Sequence, residues 1–136
     1  MNKEKLIIND EINKINSYMK NCLWMDFTLV ECYGGSIEMY GAVSQTWNNY
    51  KDSYAIKIIF ERPFYVSCLL EWTSDNTMPF ICLVEGEEEC NFNDKLLIER
   101  GNYIFKIAVE DFDKSPIYIV AQGVKSEILN ENPFQC

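Results

Sequence analysis

From Tyr54 to Trp72 the chain reads YAIKIIFERPFYVSCLLEW, and its apolar residues fall in steps of two. Tyr54, Ile56, Ile58 and Phe60 share one face of an extended strand, because successive strand side chains point to opposite sides. Phe64, Val66, Cys68, Leu70 and Trp72 share one face of the next. Pro63 separates the two, since it offers no N–H to a ladder and is tolerated at a turn, an edge or a strand's first residue. The pattern predicts two strands that meet near Arg62-Pro63 and form the centre of a sheet.

The same period governs most of the chain beyond residue 22. The segment WMDFTLVECYGGSIEMYGAVS reads as a β-hairpin closed by Gly34-Gly35, residues that supply the positive φ of a tight turn. A two-residue loop sets Glu31 opposite Glu38, which is unfavourable without a compensating cation. The expected resolution is a three-residue loop that pairs Glu31 with Met39, or solvent exposure of both carboxylates. Further strands are predicted at 80–84, where an almost continuous apolar run indicates burial on both faces, at 95–99, and at 103–109 with Tyr103, Phe105, Ile107 and Val109 on one face. A final strand is predicted at 117–124, and the acidic stretches between them read as loops.

Ahead of the strands, Ile12, Ile15 and Met19 repeat at helical spacing behind Asn9 or Asp10 as a cap. This predicts a short helix over 10–21 that covers one face of the sheet, with Leu6 to Ile8 either extending it or forming a separate extended segment. Strands do not alternate with helices. The expected fold class is α+β, mostly β: a short N-terminal helix packed on an antiparallel sheet, sandwich or partly closed barrel of about eight strands. At 136 residues the chain forms one domain, with a helical segment to about residue 21, a β region over 22–124 and a polar tail over 125–136.

The chain contains no histidine. That removes Ser-His-Asp and Cys-His catalysis, histidine general bases and most zinc and non-haem iron sites. G-x-G-x-x-G, P-loop and G-x-S-x-G patterns are also missing. Glu31 and Glu38 are the one carboxylate pair that could work as acid and base, in a chain with little room for a substrate cleft. Glu85 to Asp94, and Asp111 with Asp113, offer oxygen ligands but not in the order of a calcium-binding loop. The six cysteines lack zinc-site spacing, and Cys32, Cys68 and Cys82 lie within apolar alternation, so buried reduced thiols are expected. No catalytic residue, metal or cofactor is expected. With no h-region of signal-peptide length near the N-terminus and no apolar run of membrane-spanning length, a cytoplasmic protein is expected.

Charge is the positive signal. Twenty-one acidic residues against twelve basic ones give a net charge of −9, and nine of the acidic residues fall between Glu85 and Asp113 against three basic ones. Such a field repels the phosphates of nucleic acid and anionic membranes, and it attracts a basic protein. The predicted function is therefore a small acidic, non-enzymatic binding protein for a basic partner. Glu87, Glu88, Glu89, Asp111 and Asp113 would steer that partner, and Trp47 and Tyr50, in the polar connection TWNNYKDSY, would anchor it. Small inhibitors of nucleases, including the immunity proteins that bacteria keep beside their toxins, share this profile of size, acidity and absent catalytic apparatus. The likeness is one of composition, with no motif matched. The alternative is a β-domain that holds a carbohydrate or small apolar ligand against aromatics such as Tyr40, Tyr65 and Trp72. The oligomeric state does not follow from the sequence.

Overall fold

The structure, a computed structural model, describes residues 2–22, 24–33, 35–43, 54–75, 77–110 and 115–131. Among them the chain forms α1 (Lys3–Lys20), β1 (Asp26–Tyr33), β2 (Ser36–Ala42), β3 (Ile56–Glu61), β4 (Tyr65–Ser67), β5 (Glu71–Thr73) and β6 (Ile81–Leu83). Then follow α2 (Glu87–Leu96), β7 (Tyr103–Ile107), β8 (Ile117–Ala121) and β9 (Gly123–Ile128). The strands make two antiparallel sheets, one ordered β5-β1-β2-β3-β9 and the other β4-β8-β7-β6. They face each other as a sandwich and do not close into a barrel.

The alternation read from the sequence sets the faces. In β3, Ile56, Ile58 and Phe60 are fully buried while Lys57, Ile59 and Glu61 turn outward. In β7, Phe105 and Ile107 point into the same core. The sheets meet through the Phe60 and Phe105 rings, edge-on at 5.2 Å, and within the same core Phe27 lies 5.6 Å from its cross-strand partner Trp72 and 4.9 Å from Phe80. Each such ring stabilises the fold by roughly 1.5–3 kcal/mol through burial. Gly41 makes room for them, because a Cβ there would stand 2.6 Å from a Phe27 ring carbon. The buried Trp72 indole N–H finds no acceptor among the described residues, a cost offset by the ring's own burial.

Several expectations are corrected. The strands on either side of Arg62-Pro63 do not pair with each other. β3 belongs to the first sheet, β4 to the second, and β5 returns to the first. The β3–β9 ladder ends at Glu61 opposite Gly123, and the β4–β8 ladder begins at Tyr65 opposite Val120, so one two-stranded ribbon bends from sheet to sheet. Arg62 turns this corner with φ 48, a left-handed conformation costing a non-glycine residue about 1 kcal/mol. The bend breaks the predicted common face: Trp72 is buried, whereas Phe64 and Leu70 are 57% and 71% exposed.

The hairpin does set Glu31 opposite Glu38. Lys57 on β3 resolves the repulsion, its Nζ lying 3.1 Å from Glu38 Oε1, and the hydrogen bond with Glu38 raises the Lys57 pKa. A bulge between Leu29 and Glu31 then shifts the register by one residue, so that Leu29 pairs with Met39. The 80–84 strand shortens to Ile81–Leu83, and of its outer side Val84 is buried under α2 while Cys82 is exposed. Residues 95–99 are not a strand, because α2 runs to Leu96. The final strand divides at Gln122, whose N–H donates to Glu61 O at 2.9 Å, and β9 continues to Ile128, into the segment expected as a polar tail. Of the described cysteine side chains, Cys22 is buried, Cys68 half-buried, and Cys82 and Cys90 exposed.

Helix α1 starts earlier than predicted, at an Asn2 cap whose side-chain oxygen accepts from Lys5 N at 2.7 Å. It packs against β9 and β6, the last strands of the two sheets, and sends Ile8, Ile12, Ile15, Tyr18 and Met19 into the core between them. Its polar side chains also cover the strand edges. Asn16 Nδ2 donates to Ile81 O at 2.8 Å while its Oδ1 accepts from Ile81 N at 2.9 Å, so one amide stands in for a neighbouring strand. On the other side Lys14 donates to Ser126 O at 3.1 Å, and Ser126 Oγ donates to Glu11. Edge strands left open invite association with other chains.

Candidate functional site

The registers Cys82↔Lys106 and Lys106↔Tyr118 place these three side chains in a row across the outer face of the second sheet. Helix α2 lies over part of this face. Phe92 and Leu96, four residues apart, pack onto Val84, Ile104 and Val120, and the Phe92 and Tyr118 rings approach to 4.7 Å. The helix begins after Gly86, at φ 73, and carries Glu87, Glu88 and Glu89 in its first turn, where carboxylates complement the exposed backbone N–H groups. The run of three glutamates, read from the sequence as loop, is thus a helix start. Phe92 and Leu96 were the signal for it.

The three glutamates differ. Glu88 turns inward: Tyr118 Oη donates to it at 2.5 Å, and Lys106 Nζ stands 3.4 Å from each carboxylate oxygen and 5.8 Å from the Tyr118 ring centroid. The Tyr118 hydrogen bond, aided by Lys106 against the effect of burial, lowers the Glu88 pKa. Burial, and then Glu88, push Tyr118 up to about 12. The Cys82 pKa is raised, chiefly by burial and also by Glu88 and Glu85 against the pull of Lys106, so near neutral pH it is a thiol and a poor nucleophile. Glu87 and Glu89 are exposed and make no ion pair among the described residues. Asp111, Asp113, Trp47 and Tyr50 lie outside the described residues.

Beside the Cys82–Lys106 row opens a cavity of about 260 Å³, lined also by Asp75, Met78, Val109 and Pro116. Asp75 is 5% exposed, and its Oδ1 accepts from Thr77 N at 2.9 Å and Thr77 Oγ1 at 2.5 Å. A broader groove of about 1190 Å³ runs along the start of α1 past Ile59, Arg62 and Pro63. Its charges are largely matched within the fold, with Lys125 3.2 Å from Glu61 and Lys14 3.5 Å from Glu11.

The aromatics expected to stack on a ligand are mostly not at the surface. Trp72 is in the core, Tyr40 is 8% exposed with Tyr54 4.6 Å away, and Tyr65 is half-buried beside α2's apolar residues. Sequence reasoning did not single out Asp75, Lys106 or Tyr118. Their meeting depends on cross-strand register and on the placement of α2, neither of which local spacing encodes. In comparisons with known proteins, the chain matches no family model, no curated protein and no solved structure.

Proposed function

We propose that this chain is a small non-enzymatic binding protein that engages a basic protein, in the manner of a toxin inhibitor or immunity protein. The observation that carries this reading is how the fold uses its charges. Lys5, Lys14, Lys57, Lys106 and Lys125 each lie within ion-pair distance of a glutamate, while Glu87, Glu89, Asp94 and Glu99 stand exposed on and beside α2 without such a partner among the described residues. With Lys95 and Arg100 the only exposed basic residues described beside them, these four carboxylates leave a negative excess on this outward-facing helix and its flank. Glu87 and Glu89 are the steering residues on this view, and Glu88 holds the helix to the sheet. The exposed thiols of Cys82 and Cys90 suit the reducing cytoplasm, where such an inhibitor would act, and no described helix is long and apolar enough to cross a membrane.

The test is affinity capture from lysate at low ionic strength with elution in a salt gradient. One basic protein should leave the column at moderate salt, and Glu87→Gln with Glu89→Gln should slow its association about threefold to tenfold and flatten the salt dependence. Capture of no basic protein, or an association rate unchanged by the double substitution, overturns the reading.

A further inference from the structure

We propose that α2 is a hinged cover, which lifts from the second sheet as a unit and bares the apolar face of Val84, Ile104 and Val120 while the core between the sheets stays closed. Three side chains hold the helix down. Glu88, Phe92 and Leu96 stand four residues apart and so form a single stripe along it. Among the described residues, Glu88 makes all the side-chain hydrogen bonds and ion pairs that join α2 to a strand, with Tyr118 Oη at 2.5 Å and Lys106 Nζ at 3.4 Å. Phe92 and Leu96 supply the apolar contact, the Phe92 ring lying 4.7 Å from that of Tyr118. No backbone hydrogen bond ties residues 87–96 to a strand. α1, by contrast, sends five residues into the core and seats the Asn16 amide on β6.

Two features let α2 move alone. Val84, Ile104 and Val120 form an apolar cluster of their own, apart from the core that contains Phe60, Phe105 and Ile119. Lifting the helix uncovers that cluster and leaves the packing between the sheets in place, so the opening is local rather than global. The second feature is the backbone at both ends of the helix. Four described residues have positive φ, and three of them flank α2: Gly86 at 73 before it, and Leu97 at 53 and Gly101 at 91 after it. Hinges are a few residues at the ends of an element that absorb a large change in φ and ψ, which glycine does at least steric cost. Leu97, 80% exposed, is held by little packing of its own. Glu88 is then the latch between the two hinges, and Phe92 and Leu96 are the parts of the cover that fill the face.

The experiment is amide hydrogen exchange of the whole chain near neutral pH, corrected for intrinsic rates. Amides of residues 90–96 should exchange at least about thirtyfold faster than those of 11–19 in α1 and those of β8. Glu88→Gln keeps the size of the latch and removes its charge. It should speed exchange over 90–96 about threefold and leave α1 and β8 unchanged. A helix that frays without lifting would exchange in the same way, so a thiol is placed beneath it by Val120→Cys, or by Ile104→Cys if the first variant does not fold. Iodoacetamide should alkylate that thiol, about threefold faster once Glu88→Gln is added, while Cys22, buried in the main core, stays unlabelled over the same time. Exchange of α2 as slow as that of α1, opening of β8 in step with α2, or an unchanged rate in Glu88→Gln overturns the proposal. So does a thiol that stays shielded beneath an exchanging helix.

Discussion

The two helices are both amphipathic and have opposite duties. α1 sends five residues into the core and covers backbone groups of both sheets, whereas α2 fully buries none of its ten residues and rests on the outer face of one sheet. The difference follows from what each helix fills. α1 occupies the open side between β9 and β6, and without it core residues of both sheets, such as Ile81 and Val124, would face water. α2 covers the smaller patch of Val84, Ile104 and Val120, so most of its surface is free of packing constraints. Surface chemistry is least constrained by stability on α2, where Glu87, Glu89 and Asp94 stand without an ion pair among the described residues.

The largest effect that could break this comparison is a cavity under each helix. Ile15→Ala should cost about 2–5 kcal/mol, as for a fully buried aliphatic residue, whereas Phe92→Ala should cost about 1–2 kcal/mol because the ring is only half-buried. Urea unfolding measures both. Equal losses would mean that α2 is as much part of the core as α1.

A smaller loss is expected where α1 covers the sheet edge. Asn16→Ala leaves the Ile81 N–H and C=O without their amide partner and should cost about 1–3 kcal/mol. It also uncovers the β6 edge, so sedimentation should show concentration-dependent self-association stronger than that of the parent chain. A variant that stays monomeric with unchanged stability would show that the Asn16 contacts are incidental.

The smallest effect concerns how α2 is held, and it is read in pH. The Tyr118 pKa is raised from 10.0 to about 12, so the contribution of its protonated form is fully present below pH 10 and is lost as pH rises towards 12. The Glu88 pKa is lowered, so its contribution is present above the ordinary value of 4.5 and is lost as pH falls through the lower folded value. The Glu88 side chain is 40% exposed, and solvent screening keeps its share below about 1 kcal/mol. Tyr118→Phe should therefore change neutral stability little while flattening both limbs of the stability–pH profile. Unchanged limbs would show that the hydroxyl–carboxylate contact contributes nothing to the fold.

Faces were more legible in the sequence than partners. Alternation in 56–60 and 103–109 correctly named the buried sides, because inward and outward positions follow from strand geometry alone. The same alternation failed across Arg62-Pro63, where a left-handed residue and a proline send the chain into the other sheet and strand period carries no record of it. The Glu31–Glu38 conflict was seen, but not its resolution, since Lys57 reaches Glu38 from a strand formed 19 residues further along. At the candidate site, acidity around Glu87 to Glu89 was evident, whereas the inward turn of Glu88 onto Lys106 and Tyr118 depends on elements joined only by the sheet.

The sequence by itself determined a mostly β chain led by one helix, the sides of its longer strands that meet the core, its surplus of negative charge and its want of histidine chemistry. These are properties of composition and of spacing between near neighbours. Only the tertiary structure decided that one ribbon bends between two sheets, that α1 closes the side where both end, and that Asp75, Cys82 and Lys106 border one cavity. Such relations arise from packing between residues far apart in the chain, and many different pairings satisfy the same local pattern until the whole core is assembled.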